Sequence, residues 1–476
     1  MRGANANACT ASCTARGNVV ANSGATSGVL TPAGPSNQCD LTQGVDIVGN
    51  DAGSMLASDP SLCCAQCSRK PGCAAYTWTS YNGGMCWFKG AVGELKPNAG
   101  AVTGRVAGSR TDHVQYSIRS GAIPSRSVNL GGWLVSEYWM SKTSPAWQDV
   151  DYDTAMSGEY ITMQKIGKDK GTRQFEAHRA SWITEQDIRE IRDVGLNMVR
   201  VPVGFWIVDE IQDVQPTAIS SVYARGALKY LDRLINDWAV KYNVAVMLSL
   251  HSHQGSQNGN DHSAPQKLWA VDWSKTPDNY ANSVRFATTL AARYKDAPAF
   301  LGIGLMNEPT NVDFEMAKRY YLEAYDKIRA TGNDCILAVA PQLWAQSKES
   351  LPDFMRWPQY TNVWMEWHVY YKWGYENQNE YQILDAVRHF RDGHFDGWPG
   401  NYVFMGEWSL GNPDEKLFKD RGLMQQFASL QLQQYSEAHA GWAFWSWHHD
   451  DEKLPGTISG WSLRQLLREG IMTVPK

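Results

Sequence analysis

The chain lacks several features that mark particular classes of protein. Its formal net charge is only -5, with 44 Lys and Arg against 49 Asp and Glu, so it has no basic excess of the kind that binds nucleic acid. No apolar run approaches the ~20 residues that a membrane-spanning helix needs. We therefore expect neither a nucleic-acid partner nor a membrane span.

Two common signs of secretion are also missing. The first residues, MRGANANAC, contain no apolar segment of the kind found in signal peptides. No N-x-S/T acceptor for glycosylation occurs anywhere in the sequence. We interpret the N-terminus as that of a mature or re-engineered chain.

Cysteine is scarce after residue 90 but abundant before it. Eight of the nine cysteines lie in this first part, at Cys9, Cys13, Cys39, Cys63, Cys64, Cys67, Cys73 and Cys86. An even cluster in a small module predicts disulfide bonds and an oxidising compartment. The competing interpretation is zinc, because Cys64 and Cys67 form a CxxC, but no second ligand pair follows at finger spacing. The pattern favours disulfides and an extracellular protein.

Composition divides the chain into three segments. Residues 1–38 are rich in Ala, Gly, Ser, Thr and Asn, which is typical of a flexible lead-in. Residues 39–118 contain most of the cysteines. Residues 122–476 have a different hydrophobic pattern, in which short apolar runs alternate with longer helical segments.

Segment 39–118 resembles a PAN/apple module, and is most similar to those of oomycete carbohydrate-binding proteins. The motifs SLCCAQCSRKPGCAAYTW and GMCWFKG carry this resemblance. It implies a small α+β fold that binds glycans or proteins. Tyr76, Trp78, Tyr81 and Trp87 are candidates for a face that stacks on sugar rings, although we expect half or more of them to belong to the core.

The remaining segment predicts a parallel α/β fold. Eight strand candidates begin at Ser127, Asn197, Val244, Phe300, Cys335, Val363, Val403 and Gly441. Between the first two lies TEQDIREIRDVG, in which Thr184 and Asp187 predict a capping box and Gly195 a helix stop. Eight strands over about 350 residues predict a (β/α)₈ TIM barrel after the small module.

Polar side chains collect where the predicted strands end, which is the face at which TIM barrels carry their chemistry. At these ends lie Arg200, His251, Asn307, Glu308, His368, Tyr370, Glu407 and Trp445. Glu308 and Glu407 close the fourth and seventh strands, so they would face each other across the barrel mouth. A carboxyl pair can hydrolyse a glycosidic bond, one group protonating the leaving oxygen while the other attacks the anomeric carbon.

The neighbouring residues suggest how the pair would be tuned. Arg200 is expected to keep Glu407 ionised and its pKa low. Glu308, in contrast, is expected to have a raised pKa so that it can donate a proton near neutrality. Asn307 would bind the 2-hydroxyl of the sugar. Any one such glutamate could simply cap a helix, but eight polar or aromatic groups at six strand ends favour a catalytic site.

The motifs NLGGWLVSEYW, LMNEP, HVY, GEWS and GWAFWSW resemble glycoside hydrolase family 5, especially its exo-β-1,3-glucanase branch, over nearly all of residues 122–476. The resemblance implies retaining hydrolysis without a cofactor, with Glu308 as acid/base and Glu407 as nucleophile. It implies supporting roles for Arg200, His251, Asn307, His368 and Tyr370. It further implies sugar contacts by Glu137, Asp261 and Trp445.

One loop departs from the pattern of that branch, reading LHSHQGSQNGNDHSA where the branch reads LHGAPGSQNGFDNSG. Asn260 replaces a Phe that clamps the sugar beyond the cleavage point, and Trp373 occupies the opposing aromatic position. A β-1,6-glucanase, an endo-acting β-1,3-glucanase and a glucan transglycosylase therefore remain open. Transglycosylation would use the same covalent intermediate.

The same loop contains His251, His253 and His262 beside Asp261, a composition that could also suit a metal. Its spacing does not favour one, and two carboxylates complete the reaction unaided, so we predict no metal and no cofactor. The sequence thus predicts a secreted retaining β-glucan hydrolase, associated with a cell wall, that acts on β-glucan polysaccharide or oligosaccharide. A non-catalytic glucan-binding protein is the alternative of another class, and the intact glutamate pair disfavours it.

Overall fold

The computed structural model describes residues 39–67, 70, 73–90, 94–106, 113–414 and 416–475. The predicted lead-in, residues 1–38 with Cys9 and Cys13, lies outside the described residues. No helix in the described part is both long and apolar enough to cross a membrane.

The first described segment is an antiparallel sheet with one helix. Its elements are β1 (Cys39–Ile47), β2 (Asp51–Leu56), α1 (Pro60–Cys67), β3 (Ala75–Thr79), β4 (Met85–Lys89) and β5 (Leu95–Val106). The strands pair in the order β1-β5-β3-β4-β2. This is the predicted α+β module.

Three disulfide bonds hold α1 and its flanks to this sheet. They join Cys39 to Cys64, Cys63 to Cys86, and Cys67 to Cys73. An eight-residue helix is unstable alone and a module of this size buries little apolar surface, so the covalent links supply part of the constraint. The disulfide prediction is confirmed for these six cysteines. The zinc alternative is wrong, because both cysteines of the CxxC are oxidised.

The module's aromatic side chains divide between core and surface. Tyr76 is fully buried, and Trp78 packs on the core while its Nε1–H donates to the Ala57 carbonyl at 2.7 Å. Tyr81 is 64% exposed, and its ring centroid lies 6.0 Å from that of half-buried Trp87. A stacking face can therefore include Tyr81 and Trp87 but not Tyr76.

Eight strands close into a parallel barrel, as predicted. They are β6 (Ser125–Asn129), β7 (Met198–Gly204), β8 (Ala245–Ser252), β9 (Phe300–Gly304), β10 (Ile336–Val339), β11 (Val363–His368), β12 (Val403–Trp408) and β13 (Gly441–Phe444). Strand β13 pairs with β6 and completes the circle. All eight predicted strands are confirmed.

Helices accompany the strands. They are α2 (Val114–Arg119), α3 (Tyr152–Met156), α4 (Glu159–Ile166), α5 (Lys168–Trp182), α6 (Glu185–Asp193), α7 (Leu228–Arg233), α8 (Ala239–Tyr242), α9 (Pro277–Tyr294), α10 (Phe314–Ala330), α11 (Glu380–Arg388), α12 (Phe390–His394), α13 (Arg421–Tyr435) and α14 (Leu463–Arg468). The major core cluster lies between these helices and the outer faces of the strands.

Helix α2 packs on the amino-terminal end of the barrel. Ile118 belongs to the same apolar cluster as Met198 and Ala245, the first residues of β7 and β8. The backbone N–H of Val114 donates to Asn243 Oδ1 at 2.6 Å. Because α2 contacts the barrel, we propose that the barrel domain begins at about residue 113 rather than at residue 122.

Strand alternation determines which polar side chains enter the barrel. On β7, Val199 and Val201 pack outward in the helix-facing core, whereas Met198 lies in the inner cluster, so Arg200 follows Met198 inward. The same alternation on β11 places Glu366 and His368 on the side of inward-facing Trp364. The interior is thus apolar near α2 and becomes charged toward the carboxyl ends of the strands.

Candidate active site

Glu308 and Glu407 lie together at the carboxyl end of the barrel. Glu407 is the penultimate residue of β12, and Glu308 follows β9 with a backbone φ of 46°, a left-handed conformation that few non-glycine residues adopt. One carboxyl oxygen of each lies within 4.8 Å of the other. Retaining glycosidases place their carboxyl groups ~5–5.5 Å apart and inverting ones ~6.5–9.5 Å apart, so this spacing fits the retaining geometry.

Arg200 connects the polar groups beneath the pair. Its Nη1 donates to Glu407 Oε1 at 2.8 Å and to Asn129 Oδ1 at 2.9 Å. Its Nη2 donates to Asn307 Oδ1 at 2.8 Å, and its Nε forms an ion pair with Glu366 Oε1, also at 2.8 Å. A buried arginine needs such partners, since an unpaired buried charge is costly.

His368 lies among three carboxyl groups. Its Nδ1 is 2.9 Å from Glu308 Oε1 and 3.6 Å from Glu407 Oε2, and its Nε2 is 3.2 Å from Glu366 Oε1. Burial by itself would lower the pKa of His368, but the charges of Glu407, Glu308 and Glu366 outweigh it and raise the pKa to about 9. His368 is therefore a cation that donates to Glu308 at neutral pH.

The predicted pKa order of the two glutamates is wrong for this structure. Burial favours the neutral form of Glu308, but the hydrogen bond and charge of His368 prevail and lower its pKa to about 2. Burial raises the pKa of Glu407, and the charges of His368 and Arg200 offset this only in part. The prediction left out Glu366, which shares the charge of Arg200 with Glu407 and so weakens the effect of Arg200 on the pKa of Glu407. It also left out the hydrogen bond from His368, which lowers the pKa of Glu308.

Tyr370 and Asn307 complete the support of the pair. The Tyr370 hydroxyl donates to Glu407 Oε2 at 2.8 Å, so both oxygens of Glu407 are held, one by Tyr370 and one by Arg200. Asn307 Nδ2 lies 3.4 Å from His251 Nε2. The structure therefore brings together the supporting residues that the sequence predicts.

The predicted sugar contacts surround this centre. The His251 ring is stacked against Trp445, with centroids 5.5 Å apart and planes within 7°. Glu137 is buried, and one of its carboxyl oxygens accepts from Trp139 Nε1 at 2.9 Å. Among the described residues, Glu137 Oε1 and Asp261 Oδ2 are buried without a hydrogen-bond partner. Burial raises the pKa of both carboxyl groups. The two unpartnered oxygens are available to the hydroxyl groups of a bound ligand.

The two positions of the expected aromatic clamp differ. Trp373 is 62% exposed, and its ring packs edge-to-face on Tyr370, at a centroid distance of 5.4 Å, next to Glu407. Asn260 provides no aromatic ring, and its backbone carbonyl closes the loop by accepting from the Ser263 N–H at 3.0 Å. Of the two positions, only that of Trp373 therefore presents an exposed aromatic ring.

Sequence reasoning missed several members of the site. Glu366 and Asn129 both bind Arg200, and Trp139 holds Glu137. The signal for Glu366 was available, because it precedes His368 by two residues on a strand and must share its face. No comparable signal points to Asn129 or Trp139.

Of the three loop histidines, His251 and His262 pack against each other, with ring centroids 5.4 Å apart, whereas His253 lies elsewhere. His253 is buried away from the pair, with Nδ1 2.8 Å from Ser283 Oγ and Nε2 3.1 Å from the Leu305 carbonyl. His262 Nε2, however, lies 3.5 Å from Glu308 Oε2, a contact that the sequence did not predict.

One group of three possible metal ligands in the described part has its ligand atoms within 4.8 Å of one another: Glu308, His368 and Glu407. The ligand atoms of this cluster already have partners, since His368 Nδ1 lies 2.9 Å from Glu308 Oε1 and the oxygens of Glu407 accept from Arg200 and Tyr370. The donor chemistry of this cluster therefore fits an ion-pair network rather than a metal centre.

Comparison with known proteins agrees with this geometry. The model of the family described as Cellulase (glycosyl hydrolase family 5) matches residues 163–451. The chain belongs to glycosyl hydrolase family 5. It is accordingly a glycoside hydrolase, and a PAN domain model matches residues 45–89 of the same chain.

Named relatives and solved structures share most of the barrel. A glucan 1,3-beta-glucosidase of Blumeria graminis is 29% identical over 398 residues, which cover 74% of this chain and 87% of that protein. A protein of Aspergillus flavus named probable glucan endo-1,6-beta-glucosidase B is 27% identical, covering 68% of this chain and 83% of its own length. The rutinosidase of Aspergillus niger superposes with a TM-score of 0.59 at 15% identity, over 74% of this chain and 98% of that one, and thus shares the fold.

Proposed function

We propose that this family 5 enzyme is a retaining β-glucan hydrolase that acts mainly on β-1,3-linked glucan through a covalent glycosyl-enzyme intermediate. The observation that carries the proposal is the glutamate pair, whose carboxyl oxygens lie within 4.8 Å of each other with the nucleophile position held at both oxygens. The names of the relatives support a β-glucan as substrate.

In the first step, a Glu407 oxygen attacks the anomeric carbon while the bond to the leaving oxygen breaks, and Glu308 gives its proton to that oxygen. In the second step, Glu308 takes a proton from water, which attacks the anomeric carbon and releases Glu407. Arg200 and Tyr370 hold Glu407 in place for both steps.

The first step requires that Glu308 be protonated and Glu407 ionised. The pKa order in the structure favours the reverse, with the proton on Glu407. A sugar 2-hydroxyl that donates to Glu407, and the positive charge that develops at the anomeric carbon, both favour ionised Glu407. Substrate binding would therefore move the proton of the pair to Glu308.

A second candidate is endo-acting or transglycosylating activity, including on β-1,6-linked glucan. Three tryptophans on loops after β8, β10 and β11 are strongly exposed: Trp269 at 75%, Trp344 at 70% and Trp373 at 62%. Loops after barrel strands lie at the catalytic face, and flat aromatic rings suit the faces of sugars. These rings provide stacking surface for a glucan chain that extends beyond the sugar unit at the cleavage site.

The assignment of the two glutamates can be tested with Glu308→Ala and Glu407→Ala variants, with Glu315→Ala at an exposed helix start as control. Both active-site variants should lose glucan hydrolysis. Azide should rescue Glu308→Ala with a product of retained configuration and Glu407→Ala with one of inverted configuration, because each azide replaces a different carboxylate. Near-normal hydrolysis by either variant would contradict the proposal.

Linkage and mode of action follow from products on β-1,3- and β-1,6-linked glucans over time. Glucose alone from the start indicates exo action, and a ladder of oligomers indicates endo action. Products longer than the supplied oligosaccharide indicate transglycosylation.

The location of the enzyme is also a proposal. Three disulfide bonds in the PAN module are consistent with an extracellular protein. We propose that the module binds glucan in a cell wall and keeps the barrel near its substrate.

A further inference from the structure

The two carboxyl oxygens of Glu308 face two different histidines. Oε1 lies 2.9 Å from His368 Nδ1, and Oε2 lies 3.5 Å from His262 Nε2. His262 belongs to the short turn Asp261–Ser263 after β8, and its side chain is largely buried. Glu308 is therefore approached from β11 on one side and from the β8 loop on the other.

The position of His262 is fixed by its surroundings. Its ring packs against His251, with centroids 5.4 Å apart. The turn is held by Ser263, whose N–H and Oγ–H donate to the Asn260 carbonyl at 3.0 and 2.8 Å. Within the described residues, His262 Nδ1 is buried without a hydrogen-bond partner. The closest charged group to its other nitrogen is Glu308.

His368 and His262 have different relations to the transferable proton of Glu308, because they face different carboxyl oxygens. Both nitrogens of His368 lie against carboxyl groups, so His368 remains a donor to Oε1. Oε2 is the oxygen left to carry the transferable proton. An imidazole next to it can donate Nε2–H to the carboxylate that forms when the proton leaves.

We propose that His262 is a positioning residue for Glu308, holding Oε2 through Nε2–H and stabilising the carboxylate produced as the leaving oxygen is protonated. This inference rests on the proposed acid/base role of Glu308. The proton passes from Oε2 to the leaving oxygen, and His262 keeps its own proton. The charged and titratable groups that face His262 are Glu308, Asp261 and His251.

Two substitutions distinguish the contribution of the Nε2 nitrogen of His262 from that of its Nδ1 nitrogen. The amide nitrogen of Gln in His262→Gln reaches the place of Nε2, whereas that of Asn in His262→Asn reaches only the place of Nδ1. His262→Ala removes both. His389→Asn, at an exposed histidine on the end of α11, is the control. Unfolding midpoints would establish that each variant is folded.

We would measure kcat and KM against pH on a β-1,3-linked glucose oligosaccharide and on dinitrophenyl β-glucoside, whose leaving group needs no proton. On the oligosaccharide, His262→Asn and His262→Ala should lose roughly ten- to hundredfold in kcat/KM, the factor expected for a hydrogen bond to a charged group. The alkaline limb should move to higher pH, because Glu308 loses a donor to its ionised form. The aryl substrate should change little, and His262→Gln should recover most of the rate.

Equal losses on both substrates, with a raised KM and an unchanged pH profile, would overturn the proposal and make His262 a sugar contact. Wild-type kinetics in the Asn and Ala variants would overturn it as well. The Glu308→Ala variant tests the underlying acid/base role separately. If Glu308 does not have that role, this variant still hydrolyses glucan.

Discussion

His368 illustrates how a single residue depends on everything placed around it. Its ring is almost fully buried, yet three carboxyl groups keep it protonated. A sequence shows that a histidine ends a strand, but not that its neighbours in space outweigh the cost of burying its charge. The erroneous pKa prediction for Glu308 and Glu407 has the same origin, because it counted Arg200 as a partner of Glu407 alone.

This environment predicts a pH-dependent stability. The pKa of His368 rises from 6.5 to about 9 on folding, so its contribution is complete below pH 6.5 and is lost as the pH rises through about 9. The loss should amount to ~3–4 kcal/mol at most, since a tenfold change in proton affinity corresponds to ~1.4 kcal/mol. Urea unfolding between pH 6 and pH 10 measures it. His368→Gln should flatten this part of the curve, and an unchanged slope in that variant would contradict the assignment.

At the scale of elements, helix α6 shows a local signal that also serves a distant contact. Thr184 and Asp187 form the predicted capping box, and Gly195 follows the helix with a φ of 94°. The carboxylate of Asp187 also accepts from Trp447 Nε1 at 3.0 Å and lies 2.7 Å from His448 Nε2. The cap thus ties the start of α6 to the segment that follows β13.

Asp187→Ala should therefore lower the free energy of unfolding by more than the ~1 kcal/mol that is typically lost with a helix cap. The substitution also leaves His448 buried without this carboxylate, so we expect a loss of about 2–4 kcal/mol in the free energy of unfolding. Asp420→Ala, at the exposed cap of α13, provides a matched control with the cap effect alone. Equal losses in the two variants would show that the contact with the β13 segment contributes nothing.

At the scale of the whole molecule, a disulfide-bonded module and a catalytic barrel occur in one chain. If the module recruits glucan, Tyr81→Ala with Trp87→Ala should weaken binding to insoluble β-1,3-glucan by roughly tenfold, the effect of losing two aromatic contacts of ~0.5–1.5 kcal/mol each. Turnover of short oligosaccharides should remain unchanged. Leu62→Ala, at an exposed position on α1, is the control. Full binding by the double variant would place the ligand surface elsewhere.

Much of this architecture could be predicted because it depends on local patterns. Eight apolar runs separated by helical periods produced eight strands in the predicted order, and the barrel rule then located the site at the strand ends. Glu308, Glu407, Arg200, Asn307 and Tyr370 meet there as expected. The amphipathic pattern of α2 does not show which core it covers, so the proposed start of the barrel domain at about residue 113 depends on the tertiary contacts of this helix.

The barrel, the disulfide-rich module and the two glutamates could be predicted from the amino-acid sequence, because strand periodicity, cysteine spacing and residue type are local properties of the chain. Three contacts exist only in the folded protein: Glu366 shares Arg200 with Glu407, His368 donates to Glu308, and His262 lies 3.5 Å from the second oxygen of Glu308. These contacts join residues far apart in the chain. Their pKa values and roles depend on distances of about 3 Å and on burial, which exist only once the barrel has closed.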